Sequence, residues 1–253
     1  VPATVLWLLF AINALNLLDG MDGCLGTVGV VAFAALSAMA FAREQPFVGY
    51  LTLAMAGAML GFLRFNLPPA TVYLGDCGSH LIGLVVGTTS LMASLKGPTV
   101  AILAPAALLV LPLIDTSAAV VRRKLTGRGL ALADRGHLHH VLLRTGIPPR
   151  RVLALVAALG GLAGVGAWGS LCYHNDLFAA VAGVAVVLVL LAGGLFGNAE
   201  FRLVRERLFG AVRSARAQTG TAVESEVRLQ GTADWSALWL EISRAAADLD
   251  LRT

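Results

Sequence analysis

Long apolar runs without a single charge are the feature that most constrains this chain. Several reach 17 residues, about the length that an α-helix needs to cross a hydrocarbon layer of roughly 30 Å. The composition agrees, because 57% of the 253 residues are hydrophobic, 13% are charged, and the mean hydropathy is +0.79. Soluble domains have about 45–50% apolar and about 25% charged residues. The sequence therefore predicts an all-α, multi-pass integral membrane protein.

The hydropathy pattern also predicts the number and direction of the membrane spans. Seven spans are expected, at about residues 2–18, 24–42, 47–63, 80–96, 98–120, 152–172 and 177–197. When successive spans alternate in direction, only Arg43 and Lys96 of the 19 Lys and Arg residues fall on one side. Positively charged loops stay in the cytoplasm, so the other side is predicted to be cytoplasmic. The chain is expected in the cell (inner) membrane.

The two ends of the chain differ from this membrane domain, which is expected to cover residues 1–200. The chain begins at Val1 without an initiator Met or a basic signal region, so we expect a truncated N-terminus. Residues 201–253 predict a small cytoplasmic α+β tail with a basic amphipathic helix, a strand and a second helix. An ordinary solvated helix is the alternative for the first of these elements.

The first polar cluster is "NALNLLDGMDG" at the end of the first span. Asn13, Asn16, Asp19 and Asp22 are spaced three apart, so all four cannot share one face of a regular helix. The glycines in this stretch are expected to open the helix and let the side chains converge. Ionisable groups at membrane depth usually mark a functional site. Solvated carboxylates at a wet helix end are the alternative.

The second polar cluster is "FNLPPATVYLGDCGS". Asn66 ends a span, and Asp76 lies between Gly75 and Gly78, with Ser79 beyond. Glycines on both sides of a carboxylate allow a backbone and a phosphate or metal to approach closely. The alternative is a glycine-rich turn capped by the aspartate.

The third polar cluster is "RRKLTGRGLALADRGHLHHVLLRTG". His137, His139 and His140 lie among basic residues that include Arg135. No cysteine lies nearby, so the cluster suits hydrogen bonding and positive charge towards phosphate oxygens better than it suits zinc. Charges that only set topology, with incidental histidines, are the alternative. Asp115, before this loop, is interpreted equally as an arginine partner or a site residue.

Together the clusters place carboxylate and amide oxygens beside basic donors on the cytoplasmic side. A hard cation such as Mg²⁺ takes such oxygens and usually binds together with substrate phosphates, and Mn²⁺ could replace it. The residues therefore predict a site for a phosphorylated substrate, suited to phosphoryl transfer.

"NALNLLDGMDG", "FLRFNLPPATVYLGDCGS" and "DRGHLHHVLLRTG", in this order, resemble the polyprenyl-phosphate N-acetylhexosamine-1-phosphate transferase family over about residues 1 to 200. The "HLHH" form is similar to the branch that uses UDP-N-acetylglucosamine-type donors. The resemblance implies attack of undecaprenyl phosphate on the β-phosphate of a UDP-sugar, giving undecaprenyl-diphosphate-sugar and UMP. That reaction would initiate cell-envelope polysaccharide synthesis. The expected partners are the two substrates and the bilayer, without nucleic acid, and a homodimer is compatible with the sequence.

The resemblance also implies roles for individual residues. Asn16 and Asp76 resemble Mg²⁺ ligands, and the three histidines would hold the donor diphosphate. Residues expected to take part in catalysis are Asp19, Asp22, Asp76, His137, His139 and His140. Residues expected to bind substrate are Asn13, Asn66, Ser79 and Arg135.

One departure from the family keeps other functions open. Family members carry an Asp-Asp motif in an earlier cytoplasmic loop, and no Asp-Asp pair occurs in this sequence. Truncation of upstream spans explains its absence most simply. The alternatives are a phospho-MurNAc-pentapeptide-type transferase, a transporter, or a non-catalytic membrane relative. A transporter would be expected to carry ionisable groups near the bilayer midplane, and here they lie at one face.

Overall fold

Every regular element in the computed structural model, which describes residues 2–94, 103–125 and 137–193, is an α-helix. The predicted all-α class is thus confirmed over these ranges. The helices are α1 (Pro2–Leu18), α2 (Cys24–Ala42), α3 (Pro46–Asn66), α4 (Gly75–Ser94), α5 (Leu103–Leu108), α6 (Val110–Leu125), α7 (Leu138–Arg144), α8 (Pro149–Cys172) and α9 (Leu177–Ala192).

The helices follow the predicted spans closely. Helices α2, α3 and α8 are each long and apolar enough to cross a membrane, whereas α1 and α9 are apolar but shorter. Helix α4 begins five residues before the predicted span, because the second polar cluster forms its first turn. The chain is therefore an all-α membrane protein, and the count of seven spans stays a prediction. The predicted cytoplasmic tail lies outside the described residues.

Helix α2 occupies the middle of the bundle. It packs against α3, α4 and α8, while α1 pairs with α4, and α9 packs on α8. Close van der Waals packing holds such helices together, because lipid offers apolar side chains as good an environment as the interior does. The interior is filled by the fully buried side chains of Leu15, Leu25, Phe33, Leu36, Leu109 and Leu142.

The predicted span at 98–120 is a broken helix in the described part of the chain. Helix α5 ends at Leu108, and α6 begins at Val110. Pro112 has no N–H to donate to the carbonyl of Leu108, four residues earlier, which weakens the helix at that point. Helix α6 then runs to Leu125, beyond the predicted end, and carries Asp115 towards the third polar cluster.

Glycines allow two helix pairs to approach closely. A Cβ placed on Gly83 of α4 would lie 2.6 Å from the Cα of Ile12 in α1. On α8, a Cβ on Gly164 would lie 2.9 Å from the Cβ of Ala35. Gly164 of α8 therefore lets this helix pack closely against α2. A Cβ placed on Gly61 of α3 would meet no such neighbour within 4 Å among the described residues.

We expect Gly83→Ala to separate α1 from α4, because the backbone of Ile12 has no room to yield. Overpacking of this kind costs about 1–3 kcal/mol, and the melting temperature of the detergent-solubilised protein should fall. Gly61→Ala is the matched control and should be neutral or slightly stabilising, since alanine favours a helix over glycine by about 1 kcal/mol. Equal melting temperatures for the two variants would contradict this packing.

Candidate functional site

A sharp turn joins the first two helices and centres the site. Helix α1 ends at Leu18, and residues 19–23, called the α1–α2 turn below, lead into α2. Gly23 adopts a φ of +76°, in the left-handed region that favours glycine. A Cβ there would also lie 2.8 Å from Leu153 at the start of α8. The expected opening of the helix at these glycines is confirmed.

Two predicted site residues fasten this turn to the second polar cluster. The Asn66 side chain is buried; its Oδ1 accepts the Gly23 N–H at 2.9 Å, and its Nδ2 donates to the Val72 carbonyl at 2.8 Å. Asp22 Oδ2 accepts the Ala70 N–H at 2.9 Å. Both side chains thus shape the loop between α3 and α4 through its backbone. Their expected roles at the substrate stay predictions.

A buried hydroxyl joins the two candidate metal ligands. Ser79 is fully buried, and its Oγ lies 2.5 Å from Asn16 Oδ1 and 3.1 Å from the backbone carbonyl of Asp76. The Asn16 amide of α1 is therefore held beside the first turn of α4. Asp76 itself is exposed at the start of α4. Ser79 links the two helices, and the substrate contact expected of it stays a prediction.

Asp19 carries a negative charge that its surroundings do not favour. Burial, together with the charge of Asp76, raises the pKa of its carboxyl from 3.8 to about 6. The Asp19 carboxylate in the α1–α2 turn and the Asp76 carboxylate at the start of α4 are thus close enough for their charges to interact. A cation or a hydrogen-bond donor placed between the two carboxylates would relieve that repulsion.

The donor set fits a hard cation that also binds substrate. Among the described residues, no three His, Cys, Asp or Glu side chains are grouped to hold a metal ion. The oxygen donors in this part of the structure are the carboxylates of Asp19 and Asp76 and the amide of Asn16. Mg²⁺ is usually held by one or two carboxylates with waters and substrate phosphates, which this set allows.

Residues 137–140, called the histidine segment below, lie against the same turn. His139 is buried, and its ring covers Gly20, where an added Cβ would lie 2.7 Å from Nε2. The rings of His137 and His139 are parallel, with centroids 6.0 Å apart, and His140 is tilted on His139 at 4.3 Å. Histidines on a separate segment are thereby brought to the first polar cluster.

His139 is neutral at physiological pH in this setting. Burial, reinforced by His140 and His137, lowers the pKa of the His139 imidazole to about 4. Neither ring nitrogen has a hydrogen-bond partner among the residues that the structure describes. A neutral, buried imidazole without partners can offer one donor and one acceptor to a ligand. The sequence suggested both hydrogen bonds and positive charge from the histidine cluster, and a neutral His139 can supply only the hydrogen bonds.

The remaining predicted residues lie at the edge of the site or outside the described residues. Asn13 is exposed on α1, and its Nδ2 donates to the Leu9 carbonyl of the same helix at 2.6 Å. His140 is half-buried on α7. Arg135 falls outside the residues that the structure describes.

Sequence reasoning understated two residues. Asp115 is buried and contacts the histidine segment, with His137 Nδ1 2.9 Å from its Oδ2. Gly20 receives the His139 ring, and only its position beside Asp19 hinted at a role. The sequence around each of these two residues does not indicate a partner so far along the chain.

The fold and the site together define a class: an all-α membrane protein that gathers carboxylates, amides and histidines at one end of its helices. Comparison with known proteins shows what the chain is similar to. Residues 1–94 match glycosyl transferase family 4, and the resemblance predicted from the three motifs is confirmed.

Relatives in several bacteria carry transferase names. The chain is 36% identical over 155 residues to a decaprenyl-phosphate N-acetylglucosaminephosphotransferase of Mycolicibacterium smegmatis, covering 56% of this chain and 38% of the relative. It is 32% identical over 160 residues to a probable undecaprenyl-phosphate N-acetylglucosaminyl 1-phosphate transferase of Bacillus subtilis, covering 63% and 45%. The chain thus spans about two fifths of the length of such relatives.

The raised pKa of Asp19 predicts a pH-dependent stability. The folded protein holds this proton more tightly than the unfolded chain, so the protonated carboxyl contributes stability that is fully present below 3.8 and lost as the pH rises through about 6. We expect Asp19→Asn to raise the melting temperature of the metal-free protein at neutral pH, with a gain that shrinks as the pH falls towards 3.8.

Glu44→Gln is the control for removing a carboxylate, because Glu44 is exposed in the turn between α2 and α3, away from this site. A gain from Asp19→Asn that does not change between neutral and acidic pH would contradict the assigned cause.

Proposed function

We propose that the protein containing this chain transfers a sugar-1-phosphate, GlcNAc-1-phosphate or a related N-acetylhexosamine phosphate, from a UDP-sugar to a polyprenyl phosphate. The products are a polyprenyl-diphosphate-sugar and UMP. The family match and the names of the relatives support this reaction class. Relatives named for decaprenyl phosphate and for undecaprenyl phosphate both match, so the length of the lipid carrier is left to the experiment.

One observation carries the proposal: within the described residues, the α1–α2 turn lies close to both the second and the third polar cluster. Asp22 bonds to the loop after α3, Asp19 feels the charge of Asp76 on α4, and Gly20 lies under His139. Acidic groups for a cation and histidines for a phosphate therefore lie side by side. A diphosphate and its counter-ion need that combination of neighbours.

The reaction exchanges one phosphoric anhydride linkage for another. An oxygen of the polyprenyl phosphate attacks the β-phosphorus of the UDP-sugar, and the bond from that phosphorus to the bridging oxygen breaks. The electron pair leaves with UMP. Phosphoryl transfer of this kind depends on positioning and on neutralising charge more than on covalent help from the protein.

The chain's own residues have distinct tasks in this proposal. Asn16, Asp19 and Asp76 would hold Mg²⁺, or Mn²⁺ in its place, and the cation when bound would neutralise charge on the diphosphate. Ser79 keeps Asn16 against the start of α4. His139 would donate a hydrogen bond to a phosphate oxygen from its buried ring, since it is neutral and has no other partner among the described residues.

The membrane position matches the two substrates. Basic residues lie at the site end of the helices, with Arg64 in the last turn of α3, Arg144 in the last turn of α7, and Arg150 and Arg151 in the first turn of α8. Positive charge at one end supports a cytoplasmic orientation of the site in a multi-pass protein. A UDP-sugar would arrive from the cytoplasm and the lipid carrier from the bilayer.

The test is a transferase assay on membranes containing the full-length protein. Polyprenyl phosphates of both lengths, Mg²⁺ and a series of labelled UDP-sugars are supplied, and UMP and a lipid-linked sugar are measured. We expect UDP-GlcNAc to give both products. Asp76→Asn should lower the rate by about 100-fold or more, as is typical when a group that neutralises the transferring charge is removed.

Glu44→Gln should retain the parent rate, because this exposed carboxyl lies in the turn at the other end of α2. The proposal is wrong if, for every UDP-sugar tested, the parent protein releases UMP no faster than the Asp76→Asn variant does.

A further inference from the structure

The Asp115 carboxylate is hydrogen-bonded to two consecutive residues of the histidine segment. It lies on α6 with its carboxylate buried, and Oδ2 is 2.9 Å from His137 Nδ1. Oδ1 accepts the Leu138 N–H at 2.7 Å. Each oxygen thus has its own partner, more than 20 positions away in sequence. The histidine segment is fastened to the helix bundle by this carboxylate.

The bond to Leu138 fixes where α7 begins. Helix α7 starts at Leu138, and the first N–H groups of any helix have no acceptor within that helix. His137 precedes it in an extended conformation, with φ −62° and ψ 148°, and makes no side-chain cap. Asp115 supplies the missing acceptor from a different helix. The position of His139, one residue further on, follows from that start.

The bond to His137 selects a tautomer. An ionised carboxylate only accepts hydrogen bonds, so the Nδ1 atom that faces it must carry the hydrogen. Nε2, on the other edge of the imidazole, is then the nitrogen left for a substrate oxygen or a proton. Carboxylates orient histidines in this way in many catalytic and metal sites. Removing one partner from a buried pair of this kind is strongly unfavourable.

We propose that Asp115 is a positioning residue, which holds the His137 ring as its Nδ1–H tautomer and sets the start of α7, so that His137 and His139 face the diphosphate of the substrate. This assignment rests on the proposed function for the identity of the ligand. The positioning itself is a property of the chain and is tested without any reaction.

The direct test is the protonation of each histidine, read by NMR of the full chain labelled with ¹⁵N-histidine. The chain has only five histidines, and His137→Gln identifies the His137 signals. We expect a hydrogen on Nδ1 of His137 in the parent protein. An unprotonated Nδ1 with the hydrogen on Nε2 would overturn the proposal, whether or not any variant folds.

Asp115→Asn then reverses the preference. The amide oxygen of the replacement must face the Leu138 N–H, so its NH₂ group faces Nδ1 and forces the hydrogen to Nε2. We expect the His137 signals to change to the Nε2–H pattern, while those of His174 stay as they were. Asp176→Asn is the matched control, because Asp176 bonds to Ser170 at the other end of α8. Unchanged His137 signals in Asp115→Asn would overturn the proposal.

The transferase assay supplies the second readout. Loss of an orienting partner typically costs about 10- to 100-fold in activity, and we expect Asp115→Asn to lower kcat by that factor with a smaller change in KM for the UDP-sugar. In a His137→Gln background, Asp115→Asn should lower kcat by a smaller factor than it does in the parent protein. Full additivity would overturn the link to His137. An inactive parent protein would refute the proposed function, and the NMR result would still decide the role of Asp115.

Discussion

The site depends on a buried hydrogen bond from the Gly23 N–H to the side chain of Asn66. This bond fixes the α1–α2 turn against the end of α3, and the second amide atom of Asn66 holds the loop that follows through Val72. A buried donor left without its acceptor costs about 1–3 kcal/mol, so this bond stabilises the observed position of the turn. That turn contains Asp19, Gly20 and Asp22. Each of them reaches a different helix or loop.

The all-α fold and the approach of the polar clusters to one another could be predicted because both depend on local patterns. Uncharged runs define the helices, since a membrane-spanning backbone must satisfy its own hydrogen bonds. The glycines at 20 and 23 indicated the turn, because Gly23 needs a positive φ. Polar groups that recur at helix ends within lipid have few structural uses, so their convergence was a reasonable hypothesis. The family motifs pointed to the same residues.

The partners within the site could not be predicted, because they join residues far apart in sequence. Asn66 was expected to bind substrate, and no pattern in the sequence indicated that its two amide atoms bond to the backbone groups of Gly23 and Val72. Asp115 was expected beside an arginine as readily as in the site, and it faces His137. The histidine cluster was expected to offer positive charge as well as hydrogen bonds, but burial keeps His139 neutral. Spacing along one helix carries no information about which side chain approaches from another helix.

The central claim, that the histidine segment lies beside the α1–α2 turn and the start of α4, can be tested with a spin label on Cys77, which is exposed next to Asp76. Cys172 is replaced by Ser, and line broadening is read for each histidine of the ¹⁵N-labelled chain. His80, on the same helix as the label, is the internal positive control. His174 follows α8, which is 24 residues and so about 36 Å long, and should stay sharp. We predict broad His139 signals. A His139 spectrum as sharp as that of His174 would contradict the account.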